Sequence, residues 1–336
     1  MVVNAHHLKA VPGRKTDVKD AEWIARLLSQ GLLRPSFIPG REQRELRDLT
    51  RFRKSQIEER ARNLNRLQKM LEGANIKLGD FVSDIDGKSA TEFLELIIGK
   101  PDFTIEDVAK SRRKWMKASA EELFKSLEGI ITPLQREMFS HVMSIINEQT
   151  KQIKHTNSLI DSHLIEVYST AAKVLETIPG IGKVSAQQII AEIGHDMGRF
   201  PTAAHLCNWA GICPGNNESA GKRKSGRTNH ANKVLKTTLI QCATTAKRIK
   251  TSFFNAQYQR LVVRRGKNRA TVAIAHSMLI AIYHVLQGAA FHDLGSDYYT
   301  RFNREKKINS HVKQLAKLGL DIPDELLRQA ISANVA

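Results

Sequence analysis

The chain has 336 residues and carries 52 Lys and Arg against 34 Asp and Glu, a net charge of +18. Its 41% hydrophobic and 26% charged content is enough to bury cores in roughly two domains and excludes wholesale disorder. No apolar run reaches the roughly 20 residues that span a bilayer, and residues 1–15 lack a signal core, so a soluble, cytoplasmic chain with no membrane partner is expected. Cys207, Cys213 and Cys242 are too few and too odd in number for a disulfide framework.

In chain order, residues 2–11 read as a strand, Pro12-Gly13 as a turn, and 17–33 as a helix with Trp23, Ile24, Leu27 and Leu28 on one face. The first thirty residues thus have the pattern of the tail of an α/β unit. Residues 41–71 are highly charged, with Leu46, Leu49, Ile57, Leu64, Leu67 and Leu71 near heptad spacing, which predicts a long helix. A second long helix is predicted over 134–167, with Leu134, Met138, Val142, Ile145, Ile153, Ile160, Leu164 and Val167 on its stripe. The two either pair as an antiparallel hairpin or form a seam between copies, which makes a homo-oligomer an expectation. Between them, 73–128 reads as short helices broken at Gly79, Gly87 and Gly99-Lys100-Pro101. From Ala172 helices return, interrupted at 179–182, 194–201, 211–232 and 264–267, and a polar helical tail with Leu326, Leu327 and Ile331 follows Gly295.

The expected fold is mainly α with a partial α/β element. Between Arg199 and His292 stand fifteen Lys and Arg and one acid, Glu218, so this stretch holds +14 of the total charge. Charge so one-sided repels itself unless a polyanion neutralises it, and nucleic acid is the leading partner. A solvated basic face is the other reading. A membrane surface fits less well, because no basic amphipathic helix with aromatic anchors stands out.

Three motifs carry chemistry. Asp17 and Asp20 lie one helical turn apart, and two hard oxygen donors so placed suit Mg²⁺. Capping and the helix dipole account for the same pair without a metal. Ile178-Pro179-Gly180-Ile181-Gly182-Lys183 has the pattern of a helix-hairpin-helix, whose glycines let backbone amides approach a phosphate without reading bases, or else of a plain glycine turn. The segment 211–227 places Ser219 and Ser225 among Lys222, Arg223, Lys224 and Arg227, which suits either phosphoryl transfer through a serine or simple phosphate binding. His205, Cys207 and Cys213 lack zinc-site spacing, Trp209 and Cys207 read as core, and His276 and His284 lie in the apolar run 272–286 as core histidines. No Walker loop or dinucleotide fingerprint occurs.

Together, the segments 10–21, 178–182 and 210–222 resemble the DEDD-type transposases of bacterial insertion sequences, the one-ten family, some of whose members are RNA-guided bridge recombinases. The resemblance spans nearly the whole chain. It implies an RNase-H-like domain that supplies four acids for Mg²⁺, then a helical coiled coil, then a transposase domain containing a nucleophilic serine. On this match Asp17 and Asp20 are the last two acids, and Ser219 is the nucleophile with Ser225 as its alternative. Pro179, Gly180, Gly182 and Lys183 would clamp one phosphate, while Lys222, Arg223, Lys224, Arg227, Lys233 and Lys236 would hold the DNA backbone. The implied divisions are 1–40 as the RNase-H-like remnant, 41–170 as coiled coil, 171–295 as transposase domain and 296–336 as helical tail. Implied partners are DNA at the element ends and target, and a guide RNA. Only sixteen residues precede Asp17, so the first Asp and the Glu of the set lack counterparts, and an N-terminally truncated chain with an incomplete Mg²⁺ site is expected. Where the family tends to have arginine after Gly-Asn, this chain has Ala231-Asn232-Lys233. The expected function is DNA transposition by serine attack. A catalytically inactive DNA- or RNA-binding remnant is the alternative, whereas a helix-hairpin-helix repair protein would leave the Asp and Ser motifs unexplained.

Overall fold

The computed structural model describes residues 17–33, 38–82, 84–213, 217–219, 222–225, 231–301 and 304–319, with positions 3, 228 and 323. It is mainly α-helical. The expected strand at 2–11 lies outside the described residues except for an isolated bridge at Val3. Helix α1 (Asp17–Ser29) ends before the expected residue 33 because Gly31 takes φ +68°, where the Leu32 amide donates to Leu27 O at 3.0 Å and closes the helix. Of its apolar face Leu27 is buried, while Ile24 and Leu28 remain exposed.

Helices α2 (Arg41–Gly73, 33 residues) and α3 (Lys88–Gly99) lead into α4 (Ile105–Ser111), α5 (Ala120–Leu127) and α6 (Pro133–His163, 31 residues). Thr132 caps α6 through a reciprocal box with Gln135, and Pro133 occupies the first turn, where its missing N–H costs nothing. Helix α6 stops at His163 rather than running to 167. The Ser162 hydroxyl donates to Leu159 O and the His163 ring nitrogen lies 2.9 Å from the same carbonyl, so side chains compete with the helical ladder there. The chain then restarts as α7 (Glu166–Leu175).

Of the two pairings open to the long helices, the structure contains the antiparallel hairpin within one chain. Arg53 meets Asn157, Gln56 meets Thr156, Arg60 meets Thr150 and Asn63 meets Gln149, so the contacts run in opposite directions along α2 and α6. The buried stripe of α6 is Phe139, Val142, Ile146, Thr156 and Ile160, while Leu134 and Met138 of the expected stripe are exposed. The hairpin is apolar only at its ends. Leu67 and Leu71 join Phe93, Leu123, Phe139 and Ile146 in one core, and Leu46 and Ile160 join a second, larger one.

The second core is built from α7, α8 (Lys183–Ile193), α9 (Ala203–Trp209), α10 (Lys233–Ala246), α11 (Phe253–Arg265) and α12 (Lys267–Leu286). Helix α12 corrects one sequence expectation. It is 20 residues long with a mean hydropathy of 1.4, sufficient by length and composition to span a bilayer, yet half of that window is buried in the core. Its Ile274, Ala275, Met278, Leu279 and Ile282 fill the space between α9, α10 and α11. The break expected at 264–267 is Gly266 at φ +74°, which ends α11 and opens α12. The tail forms α13 (Tyr298–Arg301) and α14 (Arg304–Lys317), with Phe253 stacked on Tyr299, whereas Leu326, Leu327 and Ile331 lie outside the described residues.

Candidate nucleic-acid interface and serine loop

The turn between α7 and α8 is pinned from beneath by Ile178 and Ile181, both buried. Its two glycines do different work. Gly180 sits at φ +90°, and a Cβ there would fall 2.6 Å from Cys242 O and 2.8 Å from the Ala246 amide nitrogen, so close packing on α10 demands this glycine. Gly180, expected to approach a phosphate, has its Cβ side against α10. Gly182 is the N-cap of α8, exposed with open space where a Cβ would point, and the first-turn amides of α8 lie beside it. Pro179 is partly buried.

Lys183 is engaged rather than free. Its Nζ donates to Asp161 Oδ2 of α6 at 2.8 Å, and Gln187 donates to Asp161 Oδ1 at 2.9 Å. The Lys183 hydrogen bond, ahead of the Gln187 one, holds the Asp161 carboxyl below the usual carboxylate range. This link is intact at neutral pH and is lost as pH falls through the depressed folded-state pKa. Asp161→Asn is expected to tighten DNA binding by several-fold and steepen its salt dependence by about one counterion, because Lys183 then becomes available to a phosphate. Fluorescence anisotropy across a salt series measures both; an unchanged slope would remove Lys183 from the interface.

The segment expected as an open loop contains an antiparallel hairpin, β1 (Asn217–Ser219) and β2 (Lys222–Ser225), with an irregularity between Asn217 and Glu218. The register opposes Ser219 to Lys222, Glu218 to Arg223 and Asn217 to Ser225. Ser219 therefore lies where the two strands join and Ser225 at the other end of β2. Lys224 follows Arg223 along β2, and Arg227 lies outside the described residues.

The hairpin's return into α10 is tied down. Lys236 Nζ, expected on DNA, donates to Thr228 Oγ1 and so ties the segment to α10, while Lys233 is exposed. Asn232 caps α10, its Oδ1 accepting from the Val234 and Leu235 amides, both at 3.1 Å. Its Nδ2 donates to Glu192 Oε2 at 2.6 Å. Glu192, wholly buried on α8, also accepts two bonds from Arg51 at 2.7 and 2.9 Å and lies 3.4 Å from Arg47 Nε. The Glu192 hydrogen bond raises the Arg51 guanidinium above its ordinary value, while burial lowers Arg47. Sequence reasoning missed this cluster. Its signal was an acid inside the run Ile189-Ile190-Ala191-Glu192-Ile193, where an ion has to find partners.

Asp17 and Asp20 fall in the first turn of α1, one turn apart along the backbone. Two carboxylates on one turn are hard oxygen donors of the kind Mg²⁺ accepts, so the donor chemistry fits. Among the described residues no three His, Cys, Asp or Glu side chains cluster in metal-binding range. Cys207 is core, its thiol pushed up to about 12 chiefly by burial. Trp209 is not core: it is 42% exposed and leans on Phe200. His276 is half-buried and lowered by that burial, and His284 is exposed. More of the basic charge emerges at the α11–α12 corner, where Arg264, Arg265, Lys267 and Arg269 are all exposed.

Comparison with known proteins places these features. Residues 172–259, from α7 through the hairpin to α11, match the family model described as Transposase IS116/IS110/IS902 family, and residues 1–76 match a DEDD transposase model of the same group. The transposase for insertion sequence element IS1111A of Coxiella burnetii is 24% identical over 294 residues, covering 85% of this chain and 70% of that one. A probable family 20 transposase of Pseudomonas aeruginosa is 24% identical over 279 residues, covering 79% and 70%. With the DEDD model over α1 and α2 and the transposase model over the hairpin and its supports, in that order along one chain, the protein belongs to the IS116/IS110/IS902 family of insertion-sequence transposases.

Proposed function

We propose that this transposase moves its element by serine attack on DNA, with Ser219 as the nucleophile. The Ser219 oxygen attacks the phosphorus of a phosphodiester, the bond to the departing deoxyribose oxygen breaks, and a phosphoserine ester and a free hydroxyl result. The serine gives up its proton and the departing oxygen takes one, so the step is neutral and reversible. Attack by the hydroxyl of another strand on the ester then releases Ser219 and joins the DNA. The observation that carries this reading is the register of the hairpin, which sets Lys222 directly across the ladder from Ser219. A cation there offsets the charge that builds on the phosphoryl oxygens.

Asp17 and Asp20 would hold Mg²⁺, which when bound supplies further charge neutralisation at phosphate oxygens. Arg223, Lys224, Arg227 and Lys233 position the DNA backbone, and the exposed edge at Gly182 and Lys183 accepts a neighbouring phosphate. A guide RNA, a dimeric or tetrameric assembly and the four-part division of the chain belong to the same reading.

The test is to incubate the purified chain with element-end DNA, Mg²⁺ and the RNA that copurifies with it, then map any covalent adduct by mass spectrometry. A nucleotide adduct on Ser219 is the expected result. An adduct on Ser225 moves the nucleophile to the other end of β2. DNA binding with no adduct and no joined product favours a nucleic-acid-binding protein without catalysis.

A further inference from the structure

The two halves of the proposed chemistry lie on segments far apart in sequence. Asp17 and Asp20 precede α2, and Ser219 precedes α10. The helix that follows the first, α2, and the helix that follows the second, α10, meet on the same buried carboxylate. The first half of α2 reaches Glu192 through Arg47 and Arg51, and Arg47 Nη2 also donates to the Glu192 carbonyl at 2.8 Å. Gln43 adds a bond to Ala191 O at 3.2 Å. From the other side Asn232, where the hairpin's return becomes helix, donates its amide to the same carboxylate.

Stability alone does not account for this arrangement. An apolar residue among Ile189, Ile190 and Ile193 would bury as well, and replacing buried ion pairs by packed hydrophobic groups is often neutral or stabilising. Nor does capping account for it, because the cap needs only the Asn232 carbonyl oxygen, while the amide hydrogens are spent on Glu192. What a fully bonded carboxylate adds is direction. Its two oxygens fix α2 and the start of α10 relative to one another at the scale of a hydrogen bond.

We infer that Glu192 is a positioning residue for strand transfer, fixing α2, which follows the acid-bearing helix, against the start of α10, which follows the serine-bearing hairpin, through Arg47, Arg51 and Asn232. The inference rests on the serine reading for the identity of the nucleophile, though the joint itself does not depend on it.

A reciprocal exchange tests it. Asn232→Asp keeps the cap on α10 but sets a second carboxylate against Glu192. Glu192→Gln leaves a neutral amide facing two guanidinium groups. The double variant restores a donor and an acceptor with their places exchanged. Each single change is expected to slow joining of saturating DNA in single turnover by about 10²-fold, the scale of a misplacement on the order of 1 Å. The double variant, in which Arg51 still faces an amide, is expected to recover about tenfold of that loss. A merely structural role would lower the melting temperature without slowing the folded protein well below that temperature, and single variants at full rate would overturn the inference. Equal slowing in the double variant would overturn it too. Counting joined DNA reads the joint whichever residue attacks, while adduct mapping on the unchanged protein judges Ser219 separately. Should the unchanged protein join no DNA, hydrogen exchange decides. Faster exchange at 217–225 and 231–235 in both single variants, reversed in the double, supports the joint, and unchanged exchange refutes it.

Discussion

Ser219→Ala is expected to abolish strand transfer, a loss of about 10³-fold or more, while DNA affinity stays within twofold of the unchanged protein. The asymmetry follows from what the substitution removes. One hydroxyl disappears, and no cation, glycine or capping group goes with it. Binding is supplied by Lys and Arg side chains through counterion release, and one uncharged hydroxyl adds little to it. Ser225 lies at the opposite end of β2 from Lys222, in register with Asn217, so it is poorly placed to substitute. The measurement is a pair of gels on one DNA, native for binding and denaturing for covalent and joined products. Joining at the normal rate by Ser219→Ala would remove this serine from the chemistry.

Gly180→Ala is expected to cost about 3 kcal/mol or more and to loosen α10, combining a left-handed backbone forbidden to most side chains with overpacking against a helix. The methyl group would meet the Cys242 carbonyl and the Ala246 backbone, neither of which can rotate away. Chemical denaturation reads the loss directly. Gly182→Ala is the matched control, since φ there is −102° and open space surrounds the added atom. It should melt like the unchanged protein and weaken DNA binding, because its methyl group occupies the surface a phosphate would approach. Equal stability of the two variants would contradict the division of labour between these glycines.

Some of this was readable from residue patterns. Charged residues with leucine at heptad spacing specified α2 almost to the residue, and Thr132-Pro133 with Gln135 carries the start of α6 in its local chemistry. Glycines located the breaks at 180–182 and 266 because their conformations are local facts. The stripe of α6 was misread, since Leu134 and Met138 suggested one face and the burial of Phe139, Ile146 and Thr156 chose another. That choice belongs to the neighbours: Phe139 and Ile146 join the core of Leu67 and Leu71, while Thr156 meets Gln56, and a pattern search for apolar spacing passes over buried Arg53 and Gln56. The same blindness hid Glu192. A buried ion is legible only once its partners are known, and these stand 40 to 145 positions away. The hairpin was hidden for a different reason: short, polar and glycine-flanked, it lacks the alternation by which strands are recognised.

The polar middle of the α2–α6 hairpin also bears on how the chain folds. Its pairs join residues 86, 90, 100 and 104 positions apart, in order from the distal end inward, and the Arg51–Glu192 contact spans 141. Closing such loops from an unfolded chain is entropically slow unless the intervening residues are already compact. Helices α3 to α5 share one core with Leu67 and Phe139, so closing that core shortens the gap, and zippering from there toward Leu46 is the expected order. Arg47, Arg51 and Arg53 keep their water until α8 arrives to receive them. During synthesis the middle of α2 therefore offers solvated guanidinium groups rather than a continuous apolar stripe, and a premature pairing in the wrong register finds little there to bury.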